Sequence, residues 1–205
     1  MLSYLRMPYK PDPGPGADEE KLLDFQASRE VRHTVIRVIT AHLQDGAAIS
    51  WQGLNFDFTG ADFDGGSFAQ ARFPGGTVCF NETKFSGGTV RFNHAKFSGG
   101  AVNFYLASFS RGEVKFDDAE FSGSRVSFDT VTFGGGDVSF AGAEFSGGDI
   151  DFDYSEFHSG DIDFSYVKFS GSKISIQDSM LFRSRVSFHG AEFRLVSRLG
   201  WLAGG

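Results

Sequence analysis

Apolar residues in this chain recur in bursts two positions apart, A-x-F and V-x-F, separated by polar residues and glycine. Alternation at that spacing buries one face of a strand, and each burst is over in about three residues, so the predicted strands are short. The bursts keep a period of twelve. Of the eleven positions from Phe73 in steps of twelve to Phe193, ten are Phe and one is Leu181. Of the eleven from Phe68 to Phe188, ten are again Phe, with Ile176 the exception. All ten positions from Val78 to Val186 are Val or Ile, and those from Ala71 to Ala191 are Ala, Thr, Val or Ser. The unit is A-x-F-x-G-G-x-V-x-F-x-x, and "FPGGTV" (73–78) and "FSGGTV" (85–90) show its glycines at the turn, where positive φ is cheap.

Short strands with corner glycines at fixed spacing predict an all-β solenoid, in which stacked coils bury ladders of identical side chains. A coil of twelve residues would have a perimeter of ~40 Å and sides of ~10 Å, too narrow for two Phe, a Val and an Ala in one layer. The expected coil therefore uses 24 residues, two units of twelve.

Before the repeats, residues 27–44 place Val31, Val35, Ile39 and Leu43 at four-residue steps with Ile36 alongside, the pattern of an amphipathic helix. The expected layout is a flexible Pro/Gly-rich segment at 1–18, a helical cap at 19–46 and a β-helix at 47–193. Residues 194–205, with Leu195, Leu199, Trp201 and Leu202, are expected as a C-terminal cap or a dimer contact.

The stretch "FTGADFDGGSFAQARF" (58–73) has Phe58, Phe63, Phe68 and Phe73 five apart, with Ala61 and Ala71 two positions ahead of Phe63 and Phe73. It resembles the pentapeptide-repeat family, whose unit is A(D/N)LXX or A(D/N)FXX. The resemblance covers roughly residues 54–193 and implies a right-handed quadrilateral β-helix. After Phe73 the Phe spacing alternates seven and five, so two corners of each coil are enlarged. The start, "MLSYLRMPYKPDPGPGADEE", resembles a stretch in actinobacterial members of the family, many of which carry transmembrane helices upstream. That resemblance implies a membrane-tethered protein if the native chain is longer.

Composition and charge then bound the function. The chain has 205 residues, 25 of them Phe and 27 Gly, and a net charge of −7. An acidic surface argues against direct binding to nucleic acid. One cysteine, Cys79, excludes an internal disulfide or a CxxC site. No stretch approaches the ~18 apolar residues of a membrane span, and no signal-peptide pattern is present, so a cytoplasmic location is expected.

Between Glu113 and Asp163 there are thirteen acidic residues and two basic ones, Lys115 and Arg125. A calcium loop at Asp149, Asp151 and Asp153 fails because Tyr154 and Gly160 stand where Gly and Glu are needed; Ile150 and Phe152 face inward, which turns the three aspartates outward. In a 24-residue coil Arg125, Asp149 and Lys173 stack with alternating charge. Glu113, Asp137 and Asp161 stack with no positive partner, as do Glu120 with Glu144 and Asp129 with Asp153. Like charges side by side are destabilising, so these seven residues form the candidate acidic interaction strip, the alternative being a solubilising edge.

No histidine pair, nucleophile elbow or phosphate-binding glycine motif is present. The sequence therefore predicts no catalytic, cofactor or metal site. The expected function is a rigid non-enzymatic module for an unknown protein partner, with a homodimer through the C-terminal segment as a further expectation. The resemblance adds an alternative, because some family members, the quinolone-resistance proteins, resemble B-DNA in width and charge and bind DNA gyrase in its place.

Overall fold

The computed structural model describes residues 2–194. From Phe56 to Arg194 the chain winds through strands of two to four residues that stack into four parallel sheets, six strands in each. One coil runs Ala101–Asn103 in sheet A, Ser108–Phe109 in sheet B, Glu113–Lys115 in sheet C and Glu120–Ser122 in sheet D. The following coil pairs with it 24 positions on, Val102 beside Val126, Phe109 beside Phe133, Val114 beside Val138 and Phe121 beside Phe145. The fold is thus a quadrilateral β-solenoid of about six turns, and two sequence units make one coil.

The corners are of two kinds, alternating around the coil. The A–B and C–D corners are tight. At Phe104–Ala107 the Ala107 amide donates to the Phe104 carbonyl at 2.9 Å, and Leu106 adopts φ +58°, the positive φ that a type II turn requires at its third residue. The B–C and D–A corners carry the two added residues. Gly100 shows why glycine occupies them: at φ +74° a Cβ there would collide with the Gly76 carbonyl of the preceding coil.

Inside, the period of twelve becomes four ladders of rings. Phe92, Phe116 and Phe140 stack at 4.8 and 4.9 Å between centroids, and Phe80, Phe104 and Phe128 at 4.8 and 4.7 Å. These two ladders meet edge to face, as Phe104 and Phe116 do at 5.9 Å and 87°, the arrangement that the ring quadrupole favours. Where Ser or Thr replaces the small residue of the repeat, its hydroxyl is satisfied by the coil before it. Thr83 donates to the Phe58 carbonyl at 3.0 Å and Ser155 to that of Phe128 at 2.6 Å.

Two helices precede the coils, α1 (Leu2–Leu5) and α2 (Glu19–Leu43). Helix α2 begins two turns before the stretch 27–44 read as helical. Asp18 accepts a hydrogen bond from the Lys21 amide, with Glu19 and Glu20 in the first turn, and both features favour helix at an N-terminus. Its buried face is Arg32, Ile36, Ile39, Thr40 and Leu43, whereas Val31 is exposed. The first coil is also shorter than the rest. Phe56 pairs with Val78 and Phe63 with Phe85, a spacing of 22, because the first B–C corner lacks the two added residues. There α2 docks, with Ile36 against Gly66 and the Thr40 hydroxyl donating to the Ser67 carbonyl at 2.8 Å.

Residues 1–18 were expected to be flexible, but residues 2–9 dock against this end of the protein. Leu5 is buried in the core. Arg32, itself buried, donates to the carbonyls of Leu5 at 2.8 Å and Asp62 at 2.6 Å and lies over the Tyr9 ring. The Tyr9 hydroxyl donates to Asp64 at 2.5 Å, and Arg29 and His33 reach the same carboxylate at 2.9 and 3.2 Å. Except for Arg194, the expected C-terminal cap or dimer contact at 194–205 lies outside the described residues. No helix among those described is long and apolar enough to cross a membrane.

Candidate interaction surface

The outward positions of the strands form straight ladders, because each side chain sits beside the one 24 residues on, about 4.8 Å away. A charge is therefore partnered or opposed mainly by the coils above and below it. The seven residues of the candidate strip fall into three places. Glu113, Asp137 and Asp161 lie on sheet C, and Glu120 and Glu144 on sheet D. Asp129 and Asp153 stand in the turn after sheet A, at the A–B corner. In the order of the sheets around the coil that corner is diagonal to the one joining C and D. The seven residues are not one continuous strip.

Nor do most of them lack a positive partner. On sheet D the ladder reads Arg72, Lys96, Glu120, Glu144, Lys168, Glu192. Lys96 holds Glu120 and Lys168 holds Glu144, each at 2.6 Å. On sheet C Lys115 reaches Glu113 at 3.1 Å, and Arg185, one coil beyond Asp161, grips it at 2.5 Å. The absence of positive partners is corrected for these four, because the cations come from neighbouring coils or from the same strand. The lysine hydrogen bond holds the Glu113 carboxyl below its ordinary range, and the Arg185 hydrogen bond does the same for Asp161.

Asp129, Asp137 and Asp153 form no ion pair among the described residues. Asp137 instead accepts from the Asp161 amide at 2.8 Å. Asp153 accepts from the Ser175 hydroxyl and the Gln177 amide, both at 2.6 Å, and the Ser175 bond is the main cause of its lowered pKa. Asp129 accepts from the Thr130 hydroxyl at 2.6 Å. The aspartates once comparable to a calcium loop are accounted for in the same way. Asp149 lies beside Lys173 in register, and Asp151 accepts from the Asp153 amide at 2.9 Å.

The corner that holds Asp129 and Asp153 also exposes side chains that sequence reasoning passed over. Tyr105, Leu106 and Tyr154 occupy its turns and are 44%, 45% and 56% exposed. The available signal was positional: in the repeat F-x-x-A these residues fill the two outward positions, where most other coils have small or polar residues.

A four-sided coil of 24 residues with phenylalanine ladders defines a β-solenoid protein whose geometry fits the pentapeptide-repeat fold. No family model matches the chain, and no curated protein matches it. Among solved structures it is similar to QnrB1, a plasmid-mediated fluoroquinolone resistance protein, at 12% identity and a TM-score of 0.27, over 69% of this chain and 88% of that one. At that score the likeness adds nothing to what the coil geometry shows.

Proposed function

We propose that this protein is a rigid, non-enzymatic interaction module of the pentapeptide-repeat type, related to the actinobacterial variants with a twelve-residue unit, and that a protein partner reads its outer faces. The supporting observation is the ladder geometry. Every outward side chain is held at a fixed spacing by a stacked phenylalanine core, so a surface is presented with little conformational freedom left to lose on binding. The four paired carboxylates fit a module with a mixed-charge surface better than a uniformly negative rod.

Reversal of Asp137 and Asp161 to Lys tests this reading in capture experiments from the native host. A partner retained by the wild type and lost by the variant, with the variant still folded at the temperature of capture, supports it. Equal capture by both removes sheet C from the interaction.

A second reading, inhibition of DNA gyrase by mimicry of DNA, is favoured by the thirteen acidic residues between Glu113 and Asp163. Supercoiling by gyrase, titrated with the protein in the presence and absence of a fluoroquinolone, decides it. Inhibition that disappears in the same double reversal supports mimicry, and undisturbed supercoiling at about a thousandfold excess over a nanomolar site excludes it.

A further inference from the structure

We propose that the A–B corner is the docking ridge of the module, and that its ligand is an extended protein segment bearing arginines flanked by apolar residues. This inference rests on the interaction reading above and assigns it a face and a ligand chemistry.

The ridge is continuous. Its turns are stacked by backbone hydrogen bonds: the Glu82 amide donates to Tyr105, Leu106 to Asp129, Thr130 to Asp153 and Tyr154 to Gln177. From the second coil to the sixth its ten outward positions read Asn81-Glu82, Tyr105-Leu106, Asp129-Thr130, Asp153-Tyr154 and Gln177-Asp178. Four are acidic and none is Lys, Arg or His. The diagonal C–D corner differs, because His94 and His189 stand on it and His94 lies 3.9 Å from Asp118.

Three of the ten side chains are large, apolar or aromatic, and exposed: Tyr105, Leu106 and Tyr154. Leu106 and Tyr154 hold φ +58° and +55°, a region that costs a residue with a Cβ about 1–2 kcal/mol relative to glycine. Gly60 occupies the same position in the first coil and shows that glycine is accommodated there.

The apolar patch and the charge select the same ligand. Asp129 and Asp153, like Asp137 on sheet C, have no cation within ion-pair distance among the described residues, whereas Glu113, Glu120, Glu144 and Asp161 each have one. Asp129 and Asp153 differ from Asp137 in sharing their corner with the exposed Tyr105, Leu106 and Tyr154. A guanidinium is the group that can donate edge-on to a carboxylate while its plane lies on a tyrosine ring. The aliphatic neighbours of such an arginine would cover Leu106. Nucleic acid is repelled by the same four carboxylates.

A fluorescein-labelled nonapeptide of alternating Arg and Leu is the probe, with anisotropy measured at about 0.15 M ionic strength, where long-range attraction to a net negative protein is screened. Two ridge variants, Asp129→Asn with Asp153→Asn and Tyr105→Ser with Tyr154→Ser, are compared with a control, Asp118→Asn with Asp163→Asn, that removes the same charge from sheet C and the C–D corner. Each ridge variant is expected to weaken binding by about tenfold or more, and the control by less than about twofold. Equal losses for ridge and control, or no saturable binding by the wild type, would overturn the proposal. If native-partner capture persists in the ridge variants, the module reading stands and the ridge assignment falls. Melting temperatures near that of the wild type exclude unfolding as the cause.

Discussion

Ile36 of α2 lies against Gly66 so closely that a Cβ at Gly66 would come within 2.6 Å of the Ile36 Cδ1. Every later coil has Val or Ile at the corresponding inward position, beginning with Val90. The first coil gives up that side chain so that the helix can supply it. Gly66→Val, which restores the repeat pattern, is therefore expected to destabilise the protein by about 1–3 kcal/mol through overpacking, with additional strain from φ +124°. Urea unfolding measures it, and Ile36→Ala in the Gly66→Val background should recover part of the loss. An unchanged midpoint for Gly66→Val would mean that the helix does not seat there.

The central ring ladder gives a second expectation. Phe116 is fully buried, stacked between Phe92 and Phe140 and edge-on to Phe104. Phe116→Ala should cost about 3–5 kcal/mol. Asp151→Ala, which loses one hydrogen bond to the Asp153 amide at the surface, should cost about 0.5–1.5 kcal/mol. Similar losses for the two variants would contradict the inward and outward assignments.

That solenoid and its inward positions were legible in the sequence because each inward position repeats and each strand templates the next. Phe128 and Phe140 occupy equivalent places for the same reason that they are spaced by twelve. What the repeat could not disclose lies where it is broken. Arg32 reads as a polar residue on a helix, and only the fold carries it to the Leu5 and Asp62 carbonyls. Asp161 and Arg185 stand 24 apart and in register, so the period alone places that pair, whereas the contact of Glu113 with Lys115 of its own strand depends on how a long side chain leans. Charge partners of this kind are a matter of side-chain reach, which periodicity leaves open.

Tyr9 supplies a prediction at alkaline pH. Burial, reinforced by its hydrogen bond to Asp64, raises its pKa above the ordinary value of 10.0. A phenol whose folded pKa is raised contributes stability that is fully present below the unfolded pKa and lost as pH rises through the folded value. The protein should therefore lose stability above about pH 10. Tyr9→Phe should lose about 0.5–1.5 kcal/mol at neutral pH and show a flatter alkaline limb. Superimposable alkaline curves for the two proteins would detach Tyr9 from the cap.

The acid limb has the opposite sign. Asp57, Glu113, Asp153 and Asp161 all have lowered pKa values, for Asp57 mainly through its hydrogen bond with Thr59. Their contribution is present above the unfolded values, 3.8 for Asp and 4.5 for Glu, and is lost as pH falls through the folded values. Melting temperature should be level from neutral pH down to about pH 5 and fall below pH 4. Asp161→Asn should make that fall shallower. A fall that begins near pH 6 would point to histidine instead.

Thr130 offers a gain. It is β-branched and holds φ +56°, where asparagine is tolerated better. Thr130→Asn should raise stability by up to about 1 kcal/mol, read as a higher urea midpoint. A decrease would show that the Thr130 hydroxyl bond to Asp129 outweighs the backbone strain.

The chain repeats every twelve residues, but the coil closes only after 24. Loss of one twelve-residue unit from the middle of the rod would preserve the sequence of inward residues, so the remainder could still stack. Everything beyond the deletion would be turned through half a revolution, bringing the side chains of sheet A onto the face of sheet C. Gain or loss of an even number of units would lengthen or shorten the rod and leave its faces aligned. In such a molecule the parity of the unit count, more than the count itself, preserves a binding face during evolution.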